Sequence, residues 1–165
     1  MNEINIIGVN TTSEINQVVD LGDEIWKEHY TPIIGSEQVN YMLEKFQSVP
    51  AVQNQIQDGY SYFLIRNNKV NIGYLSVQPR ENVLFLSKIY LLKNFRGLGL
   101  FSFALKFIEE IAIDQKLSIM QLTVNKHNTK SISAYEAKGF IKIKSAVFDI
   151  GNGFVMDDFV MEKSL

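Results

Sequence analysis

Arg96, Gly97 and Gly99 stand at the junction of two apolar patterns in SKIYLLKNFRGLGLFSFALKFIEE, residues 87–110. Ile89 to Leu92 are mostly apolar without interruption, as in a strand, whereas from Leu98 onward the apolar residues recur at three and four, as in a helix. A strand that feeds a helix through glycines points the helix's unpaired N–H groups at the space above the strand end. The helix macrodipole adds positive potential there, so anions, phosphates above all, bind in such places. Glycine lets a phosphate approach the main chain where a side chain would hold it off, and Arg96 contributes fixed charge. Glycines at a helix start also serve turn geometry alone, and both readings fit these three residues. No Gly-Lys-Ser/Thr follows, which excludes a P-loop, and the third glycine and strand-first order of a dinucleotide fingerprint are missing.

Other chemistry is narrowed by what the chain lacks. It has no cysteine, so disulfides, thiolate nucleophiles and cysteine-based zinc sites are absent, and its two histidines, His29 and His127, are too far apart in sequence for a metal-binding pair on one helix. The net charge of −2 offers no basic face for nucleic acid or an anionic membrane. The N-terminal MNEINIIGVN lacks a long apolar segment and no run elsewhere approaches the ~18 residues of a membrane span. The expectation is a cytoplasmic protein with neither a nucleic-acid nor a membrane partner and no metal.

The 165 residues, 46% of them apolar, suit one domain over 1–165 with a sizeable core. INIIGV (4–9) reads as a strand. Thr11 with Glu14 three residues on is a capping box opening a helix whose apolar stripe runs through Ile15, Val18, Val19, Ile25, Trp26 and His29, with Pro32 as its end. Ser36 is placed to cap a second helix buried through Val39, Met42, Leu43 and Phe46, and Pro50 opens a third that Gly59 closes. The run KFQSVPAVQNQIQDG reads as a solvated connection. Strands follow at 60–66 and 70–77 across an NNK loop, then at 83–92, then a helix from about Leu98 to Asp114 with Leu100, Phe103, Ala104, Phe107, Ile108 and Ile111 inward. A strand at 117–124, a helix from Asn128 to Lys138 and two strands joined at Asn152-Gly153 complete a mixed α/β order with one parallel crossover.

LLKNFRGLGLF resembles the Q/R-x-x-G-x-G/A signature of the GNAT N-acetyltransferase superfamily, with Arg96 and Gly99 matching and Phe101 where Gly or Ala is usual. NTKSISAYEAKGF (128–140) resembles the second motif, N-x-x-A-I-x-x-Y-E-x-x-G-F, with Ser131 in place of Ala. The order of elements matches that fold over essentially the whole chain. The resemblance implies a central, mostly antiparallel seven-stranded sheet flanked by helices, with acetyl-CoA (coenzyme A) in a gap between the fourth and fifth strands. It implies that Leu91 and its neighbours offer main-chain groups to the pantetheine arm, that Arg96, Gly97, Leu98, Gly99, Leu100 and Phe101 wrap the pyrophosphate, and that Asn128 meets the cofactor. Tyr135 would be the proton donor to the departing thiolate and the Leu91 N–H the donor to the carbonyl oxygen. Without the motif, Tyr135 would read as an aromatic packing its helix on the sheet.

Amine attack on a thioester needs a neutral nitrogen, stabilised charge on the carbonyl oxygen and a proton for sulfur. For the first, Asp157 alternates with Val155, Phe159 and Met161 on the more apolar face of the last strand, where it would hold a substrate ammonium or else bond to backbone at the strand end. His29 falls where the family walls its acceptor site, and equally where a helix-end histidine bonds carbonyls. Lys88 receives no chemistry. The expected activity is acetyl transfer from acetyl-CoA to a primary amine of a small molecule or peptide. The alternative is a CoA-binding sensor or interaction module that kept the fold without turnover. Edge strands and the C-terminal hairpin permit a homodimer.

Overall fold

The structure, a computed structural model, describes residues 3–165; Met1 and Asn2, the start of the N-terminal segment read above, lie outside them. Strand β1 (Ile4–Gly8) leads to helices α1 (Thr12–Ile34), α2 (Ser36–Phe46) and α3 (Val49–Gln57). Strands β2 (Ser61–Asn67), β3 (Val70–Arg80) and β4 (Val83–Leu91), helix α4 (Leu100–Asp114), β5 (Ile119–Asn125), α5 (Thr129–Ala137), β6 (Ile141–Gly151) and β7 (Phe154–Ser164) follow. The strands form one sheet in the order β1-β2-β3-β4-β5-β7-β6. Only β4 and β5 run parallel, joined by the α4 crossover; the other pairs are antiparallel. This is the mixed seven-stranded architecture expected from the sequence. No helix among the described residues is long and apolar enough to cross a membrane.

Helix α1 begins as its capping box requires: Thr11 Oγ1 accepts from the Glu14 N–H at 3.2 Å and Glu14 Oε1 accepts from the Thr11 N–H at 3.0 Å, an arrangement worth about 1 kcal/mol. It does not end at Pro32. A proline in the last turn removes one backbone bond and no more, so the helix runs on to Ile34 and stops at Gly35, whose φ of 86° is open to glycine. Gly35, not Ser36, is also the N-cap residue of α2. The hairpin loop between β2 and β3 is two residues, Asn68 and Lys69, both at positive φ. This turn suits the right-handed twist of the strands.

The two sheet faces have separate cores. Helices α4 and α5 cover one face through Ala104, Leu105, Ile108 and Ile132 against Leu84, Leu86, Met120 and Leu122. Helices α1, α2 and α3 cover the other through Val18, Ile25, Trp26, Val39 and Val52 against Tyr62, Leu64 and Tyr74. Two sequence expectations change here. Phe103 is 45% exposed, its place in α4 taken by Leu105 and Ala112. The segment read as a solvated connection holds a buried polar network: Gln47, 2% exposed, donates to Tyr62 Oη at 3.1 Å and accepts from Tyr74 Oη at 2.5 Å. Buried amides and hydroxyls are retained when they satisfy one another.

The C-terminal hairpin folds back on α2. Tyr41 Oη donates to the Ile150 carbonyl at 2.6 Å, Lys45 Nζ donates to the same oxygen, and Gln38 Nε2 donates to the Val155 carbonyl at 2.8 Å. The helical block and the last hairpin are thereby one wall, on the face opposite α4.

Candidate active site

The site is a fault in the sheet. Strands β4 and β5 pair only at Val83–Ile119, Leu84–Met120 and Phe85–Gln121. Immediately beyond, Ser76 opposes Lys88 while Val77 opposes Leu86, so Ser87 is an extra residue in β4. Such a bulge bends its strand, and from this point β4 and β5 diverge around a cavity of about 990 Å³. The bulge also reverses the alternation of faces: Leu84 and Leu86 pack with α4, but Tyr90 packs with the α1–α3 core and Lys88 faces Tyr60 and Tyr62.

Past the bulge, β4 presents free main-chain groups to the cavity. The Leu92 N–H bonds the Ile72 carbonyl at 2.8 Å. Leu91, opposite Gly73, is therefore in a non-hydrogen-bonded pair, with its N–H and C=O directed away from β3 into the gap. Arg96 Nε donates to that carbonyl at 3.0 Å, leaving the Leu91 N–H open. The strands come unusually close here, since a Cβ on Gly73 would lie 2.3 Å from the Tyr90 carbonyl oxygen. Gly73→Ala is expected to push β4 away at Tyr90 and Leu91 and to cost about 2 kcal/mol, the scale of overpacking. Chemical denaturation measures it, and an unchanged midpoint would show that β4 yields freely.

At the end of the gap, Gly97 and Gly99 have φ of 77° and 81°, and a Cβ on either would meet nothing within 4 Å. Gly99 is the N-cap residue of α4, without a side-chain cap. The N–H groups of Leu100, Phe101 and Ser102 precede the first intrahelical donors and stay open toward the cavity mouth. Phe101 does not block them. Its ring packs edge-on against Tyr135, centroids 5.5 Å apart, and joins the α4-face core. Arg96 is held by Glu28 at the end of α1, Nη1 to Oε1 2.8 Å.

Tyr135 lines the cavity from α5, gripped between Phe101 and Phe140. Burial, and secondarily Tyr30, raises its phenol well above the ordinary value, so it stays protonated at any working pH. Asn128, 4% exposed, lines the cavity at the start of α5 together with His29 and Tyr30 of α1. His29 lines the cavity, and burial followed by Arg96 lowers its pKa, which favours the neutral imidazole. Tyr30 Oη and Tyr90 Oη are 3.1 Å apart on the same wall.

Of the residues singled out in the sequence, Leu91, Arg96, Gly97, Gly99, Phe101, Asn128, Tyr135 and His29 all border this one cavity. Leu98 and Leu100 do not border it. Leu98 is 67% exposed and Leu100 packs against the core. Asp157 is not brought to the cavity: it is ion-paired to Lys126 at 2.8 Å with 45% of its side chain exposed. The buried carboxylate is its neighbour Asp158, 2% exposed and on the opposite, α1–α3 face of β7; neither aspartate is among the residues that line the cavity. Two consecutive aspartates offer opposite faces, and apolar alternation does not tell which is desolvated, because Met156 and Val160 on one face are covered much as Phe159 and Met161 are on the other.

Burial, then the Asp157 charge, raises the Asp158 pKa from 3.8 to about 6. The fold thus favours the protonated acid, and its stabilising effect is present below the unfolded value and lost as pH rises through about 6. Asp158→Asn is expected to be more stable than the parent by on the order of 2 kcal/mol near pH 8, with the gain shrinking toward pH 4. Urea unfolding at both pH values checks this. A pH-independent difference would contradict it.

Residues 21–140 match the model of the acetyltransferase (GNAT) family. The chain belongs to that family. An uncharacterised N-acetyltransferase encoded in the pepI 3′ region of Lactobacillus delbrueckii subsp. lactis is 29% identical over 114 residues, 64% of this chain and 65% of that relative. The alignment thus spans about two thirds of the relative's length. Among solved structures, the PaiA N-acetyltransferase of Thermoplasma acidophilum in complex with coenzyme A is similar with a TM-score of 0.83 at 20% identity, covering 99% of both chains. A GNAT-family acetyltransferase of Staphylococcus aureus is similar with a TM-score of 0.74 at 21% identity, again over 99% of both. These likenesses establish the GNAT fold from end to end.

Proposed function

We propose that this GNAT-family chain is a cytoplasmic N-acetyltransferase that moves an acetyl group from acetyl-CoA to a primary amine by direct attack. The observation that carries the reading is the gap between β4 and β5, with open main-chain donors along one edge, a glycine turn with free N–H groups at its end and a half-buried phenol within it. The PaiA relative was solved with coenzyme A, and the residues here suit such a ligand. The space above Gly97 and Gly99 is open, and the helix start and Arg96 supply donors and positive charge for a diphosphate.

When bound, acetyl-CoA supplies an activated acyl group. The open N–H of Leu91 would donate to the carbonyl oxygen as negative charge grows there, a contribution made by an oriented dipole that needs no reorganisation. Tyr135 would give its Oη proton to the departing sulfur. The transfer from a phenol near ~10 to a thiolate near ~8.5 is uphill by about 2 kcal/mol, more with burial, and is helped by the fixed placement between Phe101 and Phe140. The amine enters from the α1–α3 side. Asp158, the buried carboxylate on that face and ionised above about pH 6, would take its proton by relay rather than by direct contact.

The test is direct. Acetyl-CoA titrated into the protein should bind with saturable heat, and thiol release should rise when primary amines are added. Absence of acetyl-CoA binding by folded protein would overturn the reading, and binding without amine-dependent thiol release would favour the sensor alternative.

A further inference from the structure

Lys88 is a cation in the cavity wall that has no ion-pair partner among the described residues. Its Nζ donates to Ser87 Oγ at 3.0 Å and to Gln55 Oε1 at 3.4 Å, and it stands 5.9 Å from the Tyr60 ring centroid and 5.6 Å from that of Tyr62. The four ion pairs found among the described residues use other cations. An ammonium has three donors, so two neutral acceptors leave one for the cavity that Lys88 lines. Gln55 is held in place, since its Oε1 also accepts from Tyr62 Oη at 2.5 Å and its Nε2 donates to the Phe46 carbonyl at 2.8 Å.

Position gives this cation meaning. The bulge at Ser87 turns Lys88 onto the α1–α3 face, opposite α4 and its glycine turn. On the N-acetyltransferase reading this is the side from which the acceptor arrives. A partly buried ammonium without a counter-charge is costly, and a position needed for packing alone is better filled by methionine or leucine. Burial already lowers the Lys88 ammonium to about 8, yet it remains mostly charged at neutral pH. Glu28, which also lines the cavity, is engaged by Arg96 and does not offer Lys88 a counter-charge.

Resting on the N-acetyltransferase reading, we propose that the acceptor is an amine that also carries an acidic group, a carboxylate or phosphate, and that Lys88 pairs with this group while the amine reaches the thioester. The probes are γ-aminobutyrate and phosphoethanolamine, set against n-butylamine and putrescine, with acetyl-CoA as donor. At least one acid-bearing amine is expected to exceed n-butylamine and putrescine in kcat/KM by about tenfold or more, and the two acids tell carboxylate from phosphate. Lys88→Met should erase the preference and Lys88→Arg should retain part of it, with acetyl-CoA affinity unchanged in both. Independently of turnover, binding of the preferred acid to the CoA complex should raise the Lys88 Nζ titration by about one pH unit in lysine-labelled protein, while n-butylamine should not. Preference for n-butylamine or putrescine, persistence of the acid preference in Lys88→Met, or a Lys88 titration that no acid moves would each overturn the proposal. Failure to bind acetyl-CoA would instead strike the transferase reading itself.

Discussion

Tyr135→Phe is expected to lower turnover by roughly 10²-fold or more, the usual scale for loss of a general acid, while acetyl-CoA affinity and melting temperature stay near the parent's. The ring is gripped by Phe101 and Phe140 through its faces and edges, and phenylalanine keeps those contacts. Only the hydroxyl is lost, and among the described residues it makes no hydrogen bond within the protein. A purely packing role would leave the rate per folded molecule unchanged. Steady-state thiol release, calorimetric titration of acetyl-CoA and a thermal melt on one preparation separate the outcomes. A folded mutant with normal binding and near-normal turnover would falsify the proton-donor role. The pH profile adds a second check: with its pKa raised by burial, Tyr135 should produce no alkaline limb below about pH 10.

The second large effect concerns binding. Gly99→Glu should lower acetyl-CoA affinity by at least 100-fold, because the new side chain enters the open space beside the N–H groups of Leu100 to Ser102 and places a negative charge where a diphosphate would lie. The backbone there has φ of 81°, so any L side chain adds strain of about 1–2 kcal/mol. Gly99→Ala carries that strain without the charge and serves as the control. It should lose stability similarly but far less affinity. Equal affinities for the two variants would mean that charge at the helix start is irrelevant, and unchanged affinity in Gly99→Glu would remove the phosphate-turn reading altogether.

The element order, the glycine turn and the two motif segments were legible in the chain because each depends on local physics. Hydrophobic period separates strand from helix, the Thr11–Glu14 box opens α1, and Gly97, Gly99, Asn152 and Gly153 mark positive φ. What the sequence by itself determined is therefore which residues gather at the mouth of one strand and one helix. The remainder depended on register and on contacts between distant segments, to which periodicity is blind. VLFLSKIYLL reads as one apolar strand; only its pairing with β3 reveals the extra residue at Ser87, beyond which β4 and β5 part and Lys88 turns onto the α1–α3 face. Phe101 departs from the family signature, and only tertiary packing shows its ring supporting Tyr135. Gln47 and Gln55 look solvent-facing until Tyr62 and Tyr74 are brought above them. Alternation put Asp157 on the more apolar face of the last strand, yet in the fold it is Asp158 that is 2% exposed while Asp157 keeps its partner Lys126. Desolvation is set by what packs overhead, and that is a property of the assembled fold.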